Sequence, residues 1–474
     1  MCYNLSKAIP FVSYHCTSGL LWIDQLCIDQ RNIPERNQQV ELMGAIYLAC
    51  ENCLVWLEEE APLDNITRIL LEEGESHGDV FTGDFDRIQS LNLSPTDSAW
   101  KRAFQLIRNP YFGRAWIVQE VLLPKVSLAI FGTDLIPFTR LAVGLHAFGA
   151  ACIETLLPNS EWPISTLFGT AFYYIQNKIE RQYQETLSEM TWCSQATDPR
   201  DLVYAFLGLK GDDDIDIQPD YAASVDEVYT RVAMAFIKGT HSLGMFRSLS
   251  QYQEQIEIAL LPSWVPDWRT NTYIYTFDHP LPPTRSASKC RVHVWKTAED
   301  PKYLEVAGGT IDSVGLVLRQ YPVHPTSWPT LDDKQYLGID SILATLTGET
   351  TSNYQDITRA RILGTVLAGS MRGQWVSDSI KRYPAVDLED YENMLEAYDN
   401  FSAGELNTSF APTSLHDAYI KVMQHLSRVT EQRSLFVTKS GKLGLARRVQ
   451  KDDIITILHG SDYPVVLRDA GDSR

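Results

Sequence analysis

Residues 20–57 read LLWIDQLCIDQRNIPERNQQVELMGAIYLACENCLVWL, and the fold class turns on them. Leu20-Leu21-Trp22-Ile23-Asp24 is a short unbroken apolar run closed by a carboxylate, the pattern of a buried parallel strand. Residues 25–30 are polar and predict a loop. Asn32 and Glu35 stand three apart with Pro34 between them, which is a helix start. Val40, Met43, Tyr47 and Cys50 recur at steps of three and four, so an amphipathic helix of about 15 residues is expected. Cys53-Leu54-Val55-Trp56-Leu57 is a second buried strand. Strand, helix and strand in that order form a βαβ unit of an α/β sheet.

Outward from this unit, residues 58–98 are acidic and broken by Gly and Pro, which predicts a loop with one short helix. Trp100, Phe104 and Ile107 mark a helix that Asn109-Pro110-Tyr111-Phe112-Gly113 stops. A helix resumes over 114–123 and a strand over 126–131. Asp198-Pro199-Arg200-Asp201 opens a helix running to Leu207, and 225–237 is helical. Residues 261–268 hold too much proline for regular structure, and 279–288 read as a linker. Strands are expected at 291–295, 303–308, 311–318, 434–438, 441–445, 453–458 and 464–467, and helices at 387–400 and 413–429. The organisation expected is three parts: an α/β domain at 1–131, a helical middle region at 132–278 and a mixed α and β region at 289–474.

Composition narrows the function. Of 474 residues, 41 are Lys or Arg and 60 are Asp or Glu, giving a net charge of −19. Phosphate contacts need clustered cations, so no nucleic acid and no anionic membrane is expected as partner. The most apolar stretch, 141–157, contains His146 and Glu154 and falls short of a membrane span. Lys7 precedes a short apolar patch broken by Pro10, a poor signal peptide. Eight cysteines in a chain this long make no disulfide framework, so a cytoplasmic protein with reduced thiols is expected.

The standard chemical motifs are missing from the sequence. No two of the ten histidines lie within four residues of each other, and Cys50-Glu51-Asn52-Cys53 has no second pair at zinc spacing, so no metal is expected. The chain has no glycine-rich dinucleotide fingerprint, no phosphate-cradling loop and no nucleophile elbow.

Several blocks, taken in order, resemble the fungal heterokaryon-incompatibility (HET) domain family. Leu21-Trp22-Ile23-Asp24-Gln25-Leu26-Cys27-Ile28-Asp29-Gln30 resembles its Trp-Ile-Asp block, and Glu35 to Ala49 the helix that follows. Phe112-Gly113-Arg114-Ala115-Trp116-Ile117-Val118-Gln119-Glu120 resembles its Arg-x-Trp-x-x-Gln-Glu block. Ala196 to Tyr204 and Leu261 to Trp268 resemble downstream segments of such proteins, and Ser434 to Leu445 with Val465 to Arg468 resemble a C-terminal stretch. The resemblance departs at both ends. Ser13-Tyr14 is followed by His15-Cys16 rather than Trp-Gly, so by this resemblance the sheet is expected to lack its usual first strand, and the usual segment after Leu467-Arg468 is likewise expected to be absent.

The family is distantly similar to Toll/interleukin-1 receptor (TIR) domains, which implies a flavodoxin-like parallel sheet. It also implies a role in nonself recognition and programmed cell death, with incompatibility or signalling proteins as partners and self-association. Many TIR domains cleave NAD with the glutamate of a Trp-x-x-x-Glu pattern. By that resemblance Glu120 is the candidate catalytic residue, and Trp116 and Asp24 the candidate substrate-binding residues; NAD is the candidate substrate and no bound cofactor is implied. A carboxylate beside an indole suits such chemistry, because the apolar wall excludes water and the carboxylate stabilises an oxocarbenium-like transition state. Structural readings stand beside these: Trp116 as core, Glu120 as a solvated residue or a partner for Arg114, Asp24 as a loop cap, Asp198 to Asp201 as a helix cap with an ion pair, and Cys27 as buried and inert. A degenerate scaffold without catalysis is the remaining alternative.

Overall fold

The computed structural model describes residues 3–57, 61–64, 68, 97–142, 144–145, 187, 190–191, 194–209, 215–249, 261–269, 288, 295–297, 302–320, 433–461 and 463–469. The helices expected at 387–400 and 413–429, the linker up to 287 and most of 58–98 lie outside these residues. The chain divides into two compact units. The first comprises Met1–Ile274 with Thr297–Leu304, and the second Tyr275–Lys296 with Glu305–Arg474.

The first unit mixes α and β. Its sheet has the order β1-β2-β3, with β1 at Cys53–Trp56, β2 at Ser127–Phe131 and β3 at Asp134–Pro137. β1 and β2 are parallel, with Cys53 opposite Ser127 and Trp56 opposite Ile130. β3 returns antiparallel to β2 after Gly132, whose φ of +57° suits glycine. Among the described residues β3 is paired on one side, so its terminal Pro137 costs no ladder bond.

Helices accompany this sheet, among them α1 Tyr3–His15, α2 Asp24–Cys27, α3 Ile33–Ala49, α4 Ser98–Ile107, α5 Ile117–Leu122, α6 Asp201–Tyr204 and α7 Val225–Thr240. α3 starts where the sequence predicts. The Asn32 side chain accepts from the Glu35 backbone N–H at 3.4 Å, and Glu35 Oε1 accepts from the Asp29 N–H at 3.0 Å. A cap of this kind stabilises a helix by about 1 kcal/mol.

Three expectations are corrected. Leu20 to Asp24 is not a strand. Ile23 has extended dihedrals, but the run has no ladder among the described residues; Leu20 is 83% exposed, and Asp24 already begins α2. An apolar run becomes a strand only where a neighbour offers its backbone, and the described ladder of β1 goes to β2. The parallel pair therefore closes through α4 and α5 rather than through α3. Nor is α3 cleanly amphipathic: it buries Val40, Met43 and Gly44, while Leu42 and Leu48 are exposed. Cys27 is exposed, and Ile28 is the residue of that segment that enters the core.

Two Asp-x-Arg clamps frame the rest of the unit. Asp198 accepts from the Arg200 backbone N–H, from Nε at 2.9 Å and from Nη2 at 2.9 Å. Asp267 takes the same three donors from Arg269, the side-chain bonds at 2.8 Å each. α7 lies between the clamps. Ser224 and Glu227 close it with a capping box, Tyr229 donates to the Pro199 carbonyl at 2.8 Å, and the Trp268 ring meets Tyr229 edge-on at 4.9 Å.

The second unit holds an antiparallel sheet of order β10-β9-β6-β7-β8. β6 is Gly308–Gln320, β7 Arg433–Thr438, β8 Leu443–Arg447, β9 Ile454–Leu458 and β10 Val465–Leu467. The short strands β4 Trp295–Thr297 and β5 Leu304–Val306 pair with each other. Val314, Phe436, Val449 and Ile455 form the core of the larger sheet. In the β7–β8 turn, Thr438 Oγ1 accepts from the Lys442 N–H at 3.0 Å and Gly441 takes a φ of +85°. Arg468 grips buried Asp453 with Nε and Nη2, both at 2.9 Å. Thr438 to Gly441 and Leu467-Arg468, within the two C-terminal blocks, thus do structural work.

Candidate functional site

Glu120 lies near the middle of α5, the short helix whose chain leads into β2. The Tyr111 hydroxyl donates to Glu120 Oε2 at 2.9 Å, and Ser127 Oγ at the start of β2 donates to the Glu120 backbone carbonyl at 3.4 Å. Asn109 places Tyr111 by accepting its backbone N–H at 2.9 Å, while its own Nδ2 donates to the Leu57 carbonyl. The stop signal that ends α4 therefore also delivers the tyrosine. Cys53, Tyr47 on α3, Asp24 and Arg114 stand within electrostatic reach of these groups.

Burial dominates the electrostatics. It raises the Glu120 carboxyl above its ordinary value; Arg114 and the Tyr111 hydrogen bond pull it down, and Asp24 adds to the rise. Tyr111, Tyr47 and Cys53 are pushed up by burial first and by Glu120 second. For Arg114 burial works against the charge, but Glu120, Tyr111, Asp24 and Tyr47 outweigh it and hold the guanidinium charged. The site offers one carboxyl raised by burial, one fixed cation and two phenols.

Of the predicted residues, the structure groups Glu120 with Asp24 and sends Trp116 elsewhere. Asp24 is half-buried, and its Oδ1 accepts from the Gln25 N–H at 2.8 Å. Trp116 caps α5 rather than entering it, and its indole bonds the Asp201 carboxylate. Asp201 is buried, takes the Tyr221 hydroxyl, and faces Arg36 at 3.6 Å. Arg36 in turn reaches Asp198 at 3.4 Å and lies over the Tyr221 ring at 3.4 Å. Next to Glu120, fully buried Gln119 donates to the Ala205 carbonyl at 2.8 Å. α5 is thus shared between the sheet and the segment around α6. Tyr111, Tyr47 and Cys53 were not singled out for this site; only the Asn-Pro-Tyr turn that ends α4 hinted at the first.

The polarity of the parallel pair matters here. Cys53 and Ser127 begin β1 and β2, so the Glu120 cluster lies at the amino ends of these strands. Ligands of open α/β sheets usually bind at the carboxyl ends. Among the described residues no group of His, Cys, Asp and Glu is arranged to hold a metal ion. No described helix is long and apolar enough to cross a membrane.

Comparison with known proteins agrees with the block order. Residues 2–120 match the family model described as heterokaryon incompatibility protein (HET). The chain is also similar to heterokaryon incompatibility protein 6, OR allele, of Neurospora crassa, with 28% identity over 309 residues. That alignment covers 52% of this chain and 44% of the relative, so the chain spans less than half of its length. No solved structure matches.

Proposed function

We propose that this chain, whose residues 2–120 belong to the heterokaryon-incompatibility family, acts in fungal nonself recognition and triggers programmed cell death. The observation that carries the reading is the family match, which falls on α1 through α5 and β1 of the first unit. The incompatibility relative, matched over half of this chain, supports it. In this reading the protein works in the cytoplasm, self-associates, and meets other incompatibility or signalling proteins. The parallel β1–β2 pair, with helices in its crossover, supports a sheet of the flavodoxin-like, TIR type.

Expression of the chain from an inducible promoter in a filamentous fungus tests this. Growth arrest with uptake of a vital dye is the expected result. Normal growth with the protein present at high level overturns the proposal.

NAD hydrolysis through Glu120 is the enzymatic alternative, and a carboxyl raised by burial and bonded by the Tyr111 hydroxyl is what speaks for it. Glu120→Gln keeps the shape of the side chain and its acceptor for Tyr111. Death that persists in Glu120→Gln with NAD undiminished leaves the association reading alone. Death and NAD loss that vanish together establish an enzyme.

A further inference from the structure

The two faces of α3 meet different surroundings. At about 100° per residue, Val40, Met43 and Gly44 fall on one arc, and all three are buried. Leu42 and Leu48 fall on the opposite side, about 120° apart. They bracket Gln38, Glu41, Ala45 and Ala49, and all six of these residues are exposed. Glu41 alone of the six is charged. Apolar residues on both arcs describe a helix built to be covered on two sides.

The apolar surface continues beside the helix. Trp22 meets Tyr47 edge-on with ring centroids 5.9 Å apart, which brings Leu20 and Leu21 to the Leu48 end of α3. Both leucines are exposed. A single exposed leucine is ordinary, but four gathered on one helix and the apolar run beside it make a patch.

We propose that this outer face of α3 joins two copies of the chain, helix against helix about a two-fold axis. The inference rests on the self-association proposed above and names its surface. A second copy is the occupant that charge favours. The chain carries −19, so two copies repel and can meet only where charge is sparse, as it is on this arc. A basic partner would be drawn instead to the acidic remainder of the surface. Size agrees with a transient pair. α3 has 17 residues, so it is about 25 Å long and about 10 Å across. With the Leu20-Leu21 run it offers on the order of 500 Å² per copy. A pair then buries about 1,000 Å², the lower limit for a specific interface, and forms and parts with concentration. Leucines of one helix sit over Ala45 and Ala49 of the other, large against small.

Sedimentation velocity on the full chain over about 1–100 μM is expected to show monomer passing to dimer. Added salt is expected to strengthen the dimer by screening the net charge. Leu42→Glu and Leu48→Glu each place a carboxylate on the face and are expected to weaken the pair by about tenfold or more. Both positions are exposed, so the variants fold, which circular dichroism checks. Glu41→Leu is expected to strengthen the pair. Leu316→Glu, at an exposed leucine of the second unit, is expected to leave it unchanged. A wild-type chain that stays monomeric to about 100 μM overturns the proposal, as does a dimer that survives Leu42→Glu and Leu48→Glu combined. Growth arrest by a monomeric wild type would sink this inference and leave the incompatibility reading standing. A dimer broken by Leu48→Glu, in a chain that arrests no growth, would do the reverse.

Discussion

Asp198 and Glu120 are carboxylates of the same unit, and they meet arginine on opposite terms. Asp198 receives a two-pronged guanidinium and a backbone N–H from Arg200, with Arg36 behind it. Burial works against its charge, but these bonds outweigh burial and hold the carboxyl below its ordinary value. Glu120 receives one phenol and feels Arg114 without a two-pronged bond, and burial prevails. The difference shows that an arginine nearby does not by itself fix the state of a buried acid; the number and geometry of the donors do. Asp198 belongs to the frame and is held low, whereas Glu120 is raised by its burial.

Breaking the frame gives the largest expected effect. Arg200 also donates to the carbonyls of Tyr221 and Ala223, both at 2.7 Å. Arg200→Ala leaves those carbonyls without their donor and Asp198 with only Arg36 and a backbone N–H, in a half-buried setting. It should cost about 3 kcal/mol in denaturant unfolding of the full chain. A loss below about 1 kcal/mol would make the clamp a surface ion pair and erase the contrast with Glu120.

The next effect sharpens the contrast from the side of α5. Gly208 approaches so closely that a Cβ there would stand 2.7 Å from Gln119 Oε1 and 2.8 Å from Leu123 Cδ1. Gly44 on α3 meets Gly208 in the same place. Gly208→Ala should cost about 2 kcal/mol by overpacking. It should also speed hydrogen exchange in α5, whereas Arg200→Ala should act first on the segment before α7. Identical exchange patterns in the two variants would show one cooperative block rather than two regions.

The sequence made the local elements legible and the partners not. α3, α4, α7, β1, β2 and the sheet of the second unit follow from spacing, caps and turn glycines close to where the structure has them. Leu20 to Asp24 misled because an apolar run says that burial is favourable, not that a ladder is available. The short hairpin strand β3, ending in proline, gave no alternating pattern to read. At the candidate site, Glu120 and Trp116 have the same spacing as the TIR pattern, but spacing cannot say which way an indole turns at a helix cap. Asp201, eighty-five positions away, claims Trp116. Tyr111, Tyr47 and Cys53 converge on Glu120 from three elements, and no local pattern announces such a meeting.

The smallest effect tests Glu120 itself and depends on pH. Because the fold raises its carboxyl, the folded chain holds that proton more tightly than the unfolded chain. The stability this provides is full below the unfolded value, about 4.3, and is lost as pH rises through the folded value. Glutamine carries no such proton and still accepts from Tyr111. Glu120→Gln should therefore match wild type within about 0.5 kcal/mol near pH 4. From there it should gain on wild type as pH rises toward neutrality, in denaturant titrations read by tryptophan fluorescence. Asp198→Asn should show the reverse slope, losing ground as pH rises, because its carboxyl is lowered by the bonds Arg200 makes. Parallel curves for Glu120→Gln and wild type from pH 4 to 8 would mean that Glu120 titrates as an ordinary surface acid. The site would then lose the one chemical property that separates it from the frame.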